Sequence, residues 1–148
     1  MNVIFLDIDG VLNSSTHGYG NHENPDFIEY AIFQLKRIVK DGNASIIISS
    51  SWRVGSSLEE MQCIFNKYQL GDYIIGLTPR INNYRGRHEE IKSYIKHADY
   101  PISNFVILDD DSDMDGLFRN FIKTDAQYGL TKVDAERAIT ILKRKKTK

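Results

Sequence analysis

The sequence predicts an α/β protein, a three-layer Rossmann-like fold around a central, mainly parallel sheet. Two observations carry that expectation. Short apolar, β-branched runs alternate with longer segments of helical periodicity, and three of the short runs end directly in polar clusters. Strands that alternate with helices pair in parallel through right-handed crossovers. Ligands of such sheets gather at the carboxyl ends of the strands, which is where Asp7-x-Asp9, Ser49-Ser50 and Asp109-Asp110-Asp111 fall. With 148 residues, 41% of them hydrophobic, the chain suits one domain, residues 1–148, able to bury roughly 70% of its unfolded surface.

Asn2 to Leu6 is a β-branched and aromatic run that reads as a strand buried on both faces. Asp9-Gly10 supplies turn chemistry, and residues 13–24, rich in Asn, Ser, Gly and His, form an exposed, flap-like loop. Asn24 and Pro25 suit the N-cap and first position of a helix, whose inner face carries Ile28, Ala31, Ile32, Leu35, Ile38 and Val39 and which Gly42 ends. Ser45 to Ser49 is a second buried strand. Ser57 and Glu60 match a capping box, followed by Leu58, Met61, Ile64, Phe65 and Tyr68 at helical spacing. A short strand near Tyr73 to Gly76, a helix over His88 to Ala98, a strand over Phe105 to Leu108, a strand over Phe121 to Lys123 and a helix from about Val133 complete the order. There is no internal repeat.

Nineteen basic and twenty acidic residues leave a net charge of −1, so no global field gathers nucleic acid or anionic membrane and any polyanion contact is local. The single Cys63 lies in an amphipathic stretch and reads as a buried structural thiol, consistent with a reducing cytoplasm. The apolar opening Val3 to Leu6 is too short for a signal peptide or membrane span and is interrupted by Asp7 and Asp9. The expectation is a soluble cytoplasmic protein with no membrane partner. His17 and His22 are spaced for zinc but lack further ligands nearby.

Side chains alternate along a strand, so Asp7 and Asp9 point the same way until the chain turns, and without a cation they repel. Asp109 and Asp110 arrive from a second strand end, and a pocket holding four carboxylates calls for a hard divalent ion. Mg²⁺ fits, because it takes one or two carboxylates, several waters and a substrate phosphate oxygen. A Ca²⁺ loop is the rival for the acidic run, and an ordinary strand-to-turn exit is the rival for Asp7-Ile8-Asp9-Gly10.

Phe5-Leu6-Asp7-Ile8-Asp9-Gly10-Val11-Leu12 resembles the first motif of the haloacid dehalogenase superfamily, an apolar strand followed by Asp-x-Asp-Gly-Thr/Val. The later motifs of that superfamily have counterparts in order. Ile46-Ile47-Ile48-Ser49-Ser50-Ser51 offers the hydroxyl, with Ser50 preferred and Ser49 the alternative; Gly86-Arg87-His88-Glu89-Glu90-Ile91 offers the cation, with Arg85 in reserve. Phe105 to Asp110 offers the paired acids, with Asp113 as a carboxylate that supports the metal ligands or is linked to the metal itself. Ser-Ser-Trp-Arg, Gly-Arg-x-Glu-Glu-Ile, Val-Ile-Leu-Asp-Asp-Asp and the late Gly129-Leu130-Thr131 are more narrowly similar to the phosphatase-like domain of Swiss army knife RNA repair proteins.

The resemblance implies a Mg²⁺-dependent phosphomonoester hydrolase. Asp7 would form an aspartyl-phosphate and Asp9 would serve as general acid and base, with its backbone carbonyl on the metal beside Asp7, Asp109 and Asp110. Ser50 or Ser49, the backbone near Gly10, and Arg87 would hold phosphoryl oxygens. Neither interval where this superfamily inserts a cap has room for one, which favours a bulky substrate such as a phosphorylated nucleic-acid end, a 3′ end above a 5′ end. Trp52-Arg53 and Tyr84-Arg85 are candidate substrate contacts or the rim of a packed core, and the basic end Lys143 to Lys148 is a candidate for phosphate-backbone contact or a solvated helix end. Two rival readings stand beside this one: a small-molecule phosphatase or nucleotidase, and a non-catalytic phosphate-binding or phosphoacceptor module. Asp9 argues against the module, which needs no acid two residues after a phosphoacceptor.

Overall fold

Every strand expected from an apolar run forms, and all five join one parallel sheet. The computed structural model describes residues 1–81 and 86–145. In chain order they are β1 (Asn2–Leu6), α1 (Glu29–Asp41), β2 (Ala44–Ile48), α2 (Leu58–Asn66), β3 (Ile74–Leu77), α3 (Arg87–His97), β4 (Asn104–Asp109), β5 (Phe121–Lys123) and α4 (Lys132–Leu142). The strands lie in the order β3-β2-β1-β4-β5, each pair parallel. The order reverses between β1 and β4, so a crevice opens at their carboxyl ends. Register fixes what meets there: Leu6 pairs with both Ile48 and Leu108, which brings Asp7 beside Ser49 on one side and Asp109 on the other.

Alternation along the strands divides the core between two layers. Ile4, Leu6, Ile46, Ile48, Val106 and Leu108 face the layer of α1, α2 and α4. Val3, Phe5, Ile47 and Ile107 face Ile91 of α3 and Met114. The next residues in the second series are Ser49, Asp7 and Asp109, and they inherit the α3 side. Side chains also tie the layers at the opposite end of the sheet, where Asn2 and Asn104 donate to the Leu142 carbonyl at the end of α4.

Two expectations are corrected. The first helix starts at Glu29 with Ile28 as its N-cap, four residues after Pro25. The intervening residues are used in docking: Asp26 takes φ +46°, the Phe27 amide donates to Tyr68 Oη, the Ile28 amide donates to the Leu12 carbonyl, and the Phe27 ring packs on Trp52, Phe65 and Tyr68. Cys63 is exposed, because Met61, Ile64 and Phe65 form the buried stripe of α2 and leave position 63 outside. The capping box at Ser57 and Glu60 forms as expected, and a second one joins Thr131 and Asp134. Among the described residues no helix is long and apolar enough to cross a membrane.

Ile47 is fully buried in β2 between the site and the α3 layer. Ile47→Ala should therefore cost about 2–5 kcal/mol of stability. That corresponds to a thermal midpoint lower by roughly 5–15 °C at this chain length. Calorimetry checks it, and a loss below about 1 kcal/mol would contradict a close-packed face here.

Candidate functional site

Three carboxylates and one guanidinium converge at the carboxyl ends of β1 and β4. Asp7, Asp109 and Asp110 each offer an oxygen within 4.8 Å of the others. Arg87, the first residue of α3, places Nη1 3.0 Å from Asp7 Oδ1 and 2.8 Å from Asp109 Oδ2. Asp109 also accepts from the Asp111 amide at 2.9 Å.

The electrostatics are unbalanced. Burial, the negative charge of Asp109 and contact with Asp110 push the Asp7 carboxyl up to about 9, against the pull of Arg87. Burial also raises Asp109, though Arg87 and the Asp111 amide oppose it. Burial works against the charge on Arg87, but Asp109 and Asp7 outweigh it and hold the guanidinium above its ordinary value. Among the described residues one cation faces three clustered acids, which favours the protonated form of Asp7. A hard cation with oxygen ligands answers the same need, and Asp7, Asp109 and Asp110 have the donor type and spacing for Mg²⁺.

Gly10 makes the cluster sterically possible. It adopts φ +83°, and a β-carbon there would run into the Asp110 carboxylate. Its own polar atoms are occupied, the amide donating to Asn13 Oδ1 at 2.9 Å and the carbonyl accepting from Thr124 Oγ1 at 2.7 Å. Of the backbone near Gly10 expected to hold phosphoryl oxygens, the Gly10 amide itself is taken by Asn13.

Asp9 stands apart from the acid cluster. Its Oδ1 accepts from the Trp52 indole at 2.9 Å and from Asn13 Nδ2 at 2.8 Å. Of the two readings of Trp52, substrate contact or rim of a packed core, its burial fits the second, with His22 stacked on it at a centroid distance of 4.9 Å and Phe27 at 5.7 Å. Asn13 was missed by the sequence reading. An Asn four residues after Asp9, in a stretch of turn residues, is the only signal it left.

The two serines have different fates. Ser50 Oγ accepts from the Trp52 amide and caps the 3-10 turn Ser51–Arg53. Ser49 Oγ is buried and has no hydrogen-bond partner among the described residues. A buried hydroxyl without a partner costs about 1–3 kcal/mol, so Ser49, beside Asp7, has the unmet demand that the preferred Ser50 lacks.

Arg53 is not exposed to a substrate. It is 7% accessible and brackets three segments, donating to the carbonyls of Thr78, Ser50 and Pro79 and to Glu90 Oε2 at 2.9 Å. Asp113 is a helix anchor: it accepts from the Arg87 amide at 3.1 Å, and its Oδ1 lies 3.0 Å from His88 Nδ1. It therefore fixes the turn that carries Arg87, and it is outside the acid cluster. Tyr84 and Arg85, the other candidate substrate contacts, lie outside the described residues. Loop 13–24 is held at several points, by Ser15 to the Ala126 carbonyl, Thr16 to the Gln127 carbonyl and His22 against the Trp52 carbonyl. His17 meets Asp26 instead, so the two histidines do not share a ligand site.

The switch-point crevice of a parallel sheet, with Asp-x-Asp after the first strand and paired acids after the fourth, defines the haloacid dehalogenase class of domain. Within it, the family described as the HAD domain in Swiss Army Knife RNA repair proteins matches residues 3–135, and the chain belongs to that family. No curated protein matches the chain. Membership supports a HAD-type phosphatase or a related role in RNA repair, and HAD domains are generally Mg²⁺-dependent.

The charge imbalance predicts a pH-dependent stability difference between the chain and Asp7→Asn in chelator. The folded value of Asp7, about 9, lies above the ordinary 3.8, so the folded chain keeps a proton that the unfolded chain has lost. The contribution of the protonated carboxyl is complete below the unfolded value and disappears as pH rises through the folded one. Wild type should therefore match Asp7→Asn at low pH and fall progressively below it on approach to about pH 9. Mg²⁺ at about 100 times its Kd should restore about 2.7 kcal/mol. Thermal melts across pH check this; a gap that does not change with pH would refute it.

Proposed function

We propose that the chain is a Mg²⁺-dependent phosphomonoester hydrolase that works through an aspartyl-phosphate on Asp7. The observation that carries this reading is the separation of two nearby carboxylates into different environments. Asp7 sits among Arg87, Asp109 and Asp110, whereas Asp9 is turned away and gripped by Trp52 and Asn13. Divided surroundings of this kind are how one site assigns a nucleophile and an acid–base group.

In the first step an Asp7 carboxylate oxygen forms a bond to phosphorus as the bond to the ester oxygen breaks, and protonated Asp9 gives its proton to the leaving alkoxide. In the second, Asp9 takes a proton from water while the water oxygen bonds to phosphorus. The bond from phosphorus to Asp7 breaks, releasing inorganic phosphate. Arg87 and Ser49 would donate to the phosphoryl oxygens, where charge develops as the transition state forms. Bound by Asp7, Asp109, Asp110 and the Asp9 carbonyl, Mg²⁺ would offset the repulsion between carboxylate and phosphate.

The substrate reading is a terminal phosphate on a polynucleotide, 3′ in preference to 5′. Two points support it: the matched family is one of RNA repair proteins, and the intervals after β1 and β3 are too short for an inserted domain that would enclose a small substrate. The test compares kcat/KM for a 3′-phosphorylated oligonucleotide, its 5′-phosphorylated counterpart and the matching mononucleotides at fixed ionic strength. Mononucleotides hydrolysed as well as oligonucleotides would replace this substrate with a small-molecule one.

Asp7→Asn should abolish turnover with the fold intact, and chelator should do the same reversibly; activity retained in either case would overturn the covalent, metal-dependent scheme. Trp52→Phe keeps the stacked ring but removes the donor to Asp9. Since a hydrogen bond to a charged group is worth about 1.5–3 kcal/mol, kcat should drop roughly 10- to 100-fold. KM should change little. A fall in stability with kcat unchanged would reduce Trp52 to a packing residue.

A further inference from the structure

A groove of about 470 Å³ runs between β5 and α4, lined by Phe118, Arg119, Phe121, Val133, Arg137 and Arg144, none of them in the acid cluster. Its composition is unusual for a solvated face. Phe118 is 59% exposed and Val133 63% exposed, and the Phe118 ring lies 6.4 Å from that of Phe121, tilted by 50°. Three arginines surround this apolar floor, all on exposed positions. The one acid in the lining, Glu136, has Lys132 4.0 Å away.

The geometry orders these groups along one line. Val133, Arg137 and Thr140 recur at helical spacing on a single stripe of α4, and Arg144 lies just beyond the end of that helix at Leu142. Arg144 Nη1 donates to the Arg119 carbonyl at 2.9 Å, closing the far end. That end lies at the amino edge of the sheet, because Asn104 at the start of β4 reaches the carbonyls of Leu142 and Arg144. Val133, at the start of α4, therefore lies toward the carboxyl edge. There a second hollow of about 470 Å³ is lined by Lys123, Thr124 and Asp110 of the acid cluster. Cations thus mark a route along the β5 edge from Arg144 to the pocket.

We propose that this groove binds a single-stranded nucleic-acid chain, with backbone phosphates on Arg119, Arg137 and Arg144 and a base stacked on Phe118. An exposed aromatic face set among guanidinium groups matches both parts of such a ligand: the flat base and the regularly spaced negative charge. An acidic peptide would use the arginines but has no use for the exposed ring. The groove stands independently of the chemistry at Asp7; only its role as a track delivering a strand end to the pocket rests on the hydrolase reading.

The test is fluorescence anisotropy with the full chain, in chelator, using a labelled single-stranded RNA 12-mer that carries no terminal phosphate. Phe118→Ala should weaken binding about tenfold. In the double variant Arg119→Ala, Arg137→Ala, the plot of log K against log salt should become shallower by about 1.4, the loss expected for two phosphate contacts on a single strand. All variants should hydrolyse a small phosphate ester as the parent does. Binding of the 12-mer that is absent from the parent, or unchanged in these variants, overturns the proposal. So does polyglutamate that displaces the RNA as well as unlabelled RNA does, which would assign the groove to an acidic protein segment. Groove-dependent binding by a chain that hydrolyses no phosphate ester would uphold the proposal and sink the hydrolase reading.

Discussion

The arrangement of this molecule depends on placing three carboxylates under one guanidinium at the point where the strand order reverses. Parallel strands impose that convergence, because pairing of Leu6 with Leu108 leaves Asp7 and Asp109 emerging side by side on the α3 face. Such a cluster is unfavourable in isolation, since each added negative charge makes the next harder to bury. The surrounding structure exists in large part to hold it. The fully buried isoleucines of β2 and β4 leave the strand ends no room to splay, Gly10 gives Asp110 its space, and Asp113 fixes the turn from which Arg87 reaches in.

Asp9 follows a different logic. The chain turns after Asp7, and Ile8 enters the opposite core layer with Leu6 and Val11. Asp9 then meets a neutral indole and a neutral amide in place of further charges. Those two donors come from separate places, Trp52 from the turn after β2 and Asn13 from the loop after β1. Asn13 also takes the Gly10 amide, so one side chain closes the turn and orients the acid. The orientation of Asp9 is therefore a product of tertiary structure in which the exposed loop 13–24 participates through Asn13 and His22.

Much of this was legible in the sequence, and the unread remainder has a common cause. Strands and inner helix faces follow from local periodicity, and the chain order of Asp7, Ser49, Arg87 and Asp109 survives folding unchanged. The sequence could not show which hydroxyl of Ser49-Ser50 remains without a partner, because the Trp52 amide that claims Ser50 does so only once the 3-10 turn exists. Nor could it show that Pro25 precedes a docked segment and not a helix, since the competing attraction is the distant aromatic cluster around Phe27. Exposed-looking Trp52 and Arg53 became internal for the same reason: their partners, Asp9 and Glu90, lie 43 and 37 residues away.

Arg53 and Arg87 show how one kind of contact yields a balanced pair in one place and an unbalanced cluster in another. Arg53 pairs with the Glu90 carboxylate and also donates to backbone carbonyls at 2.8–3.4 Å. Its charge is matched, and breaking such a buried pair costs about 3–5 kcal/mol. Arg87 meets two carboxylates with a third alongside, so its pocket keeps an excess of negative charge however well the hydrogen bonds are made. A balanced pair gains nothing from a further ligand. An unbalanced one gains stability from any cation that reaches it, and a bound cation in turn draws in an anion. The surplus carboxylate, destabilising to the fold alone, is therefore the feature that a bound cation would offset.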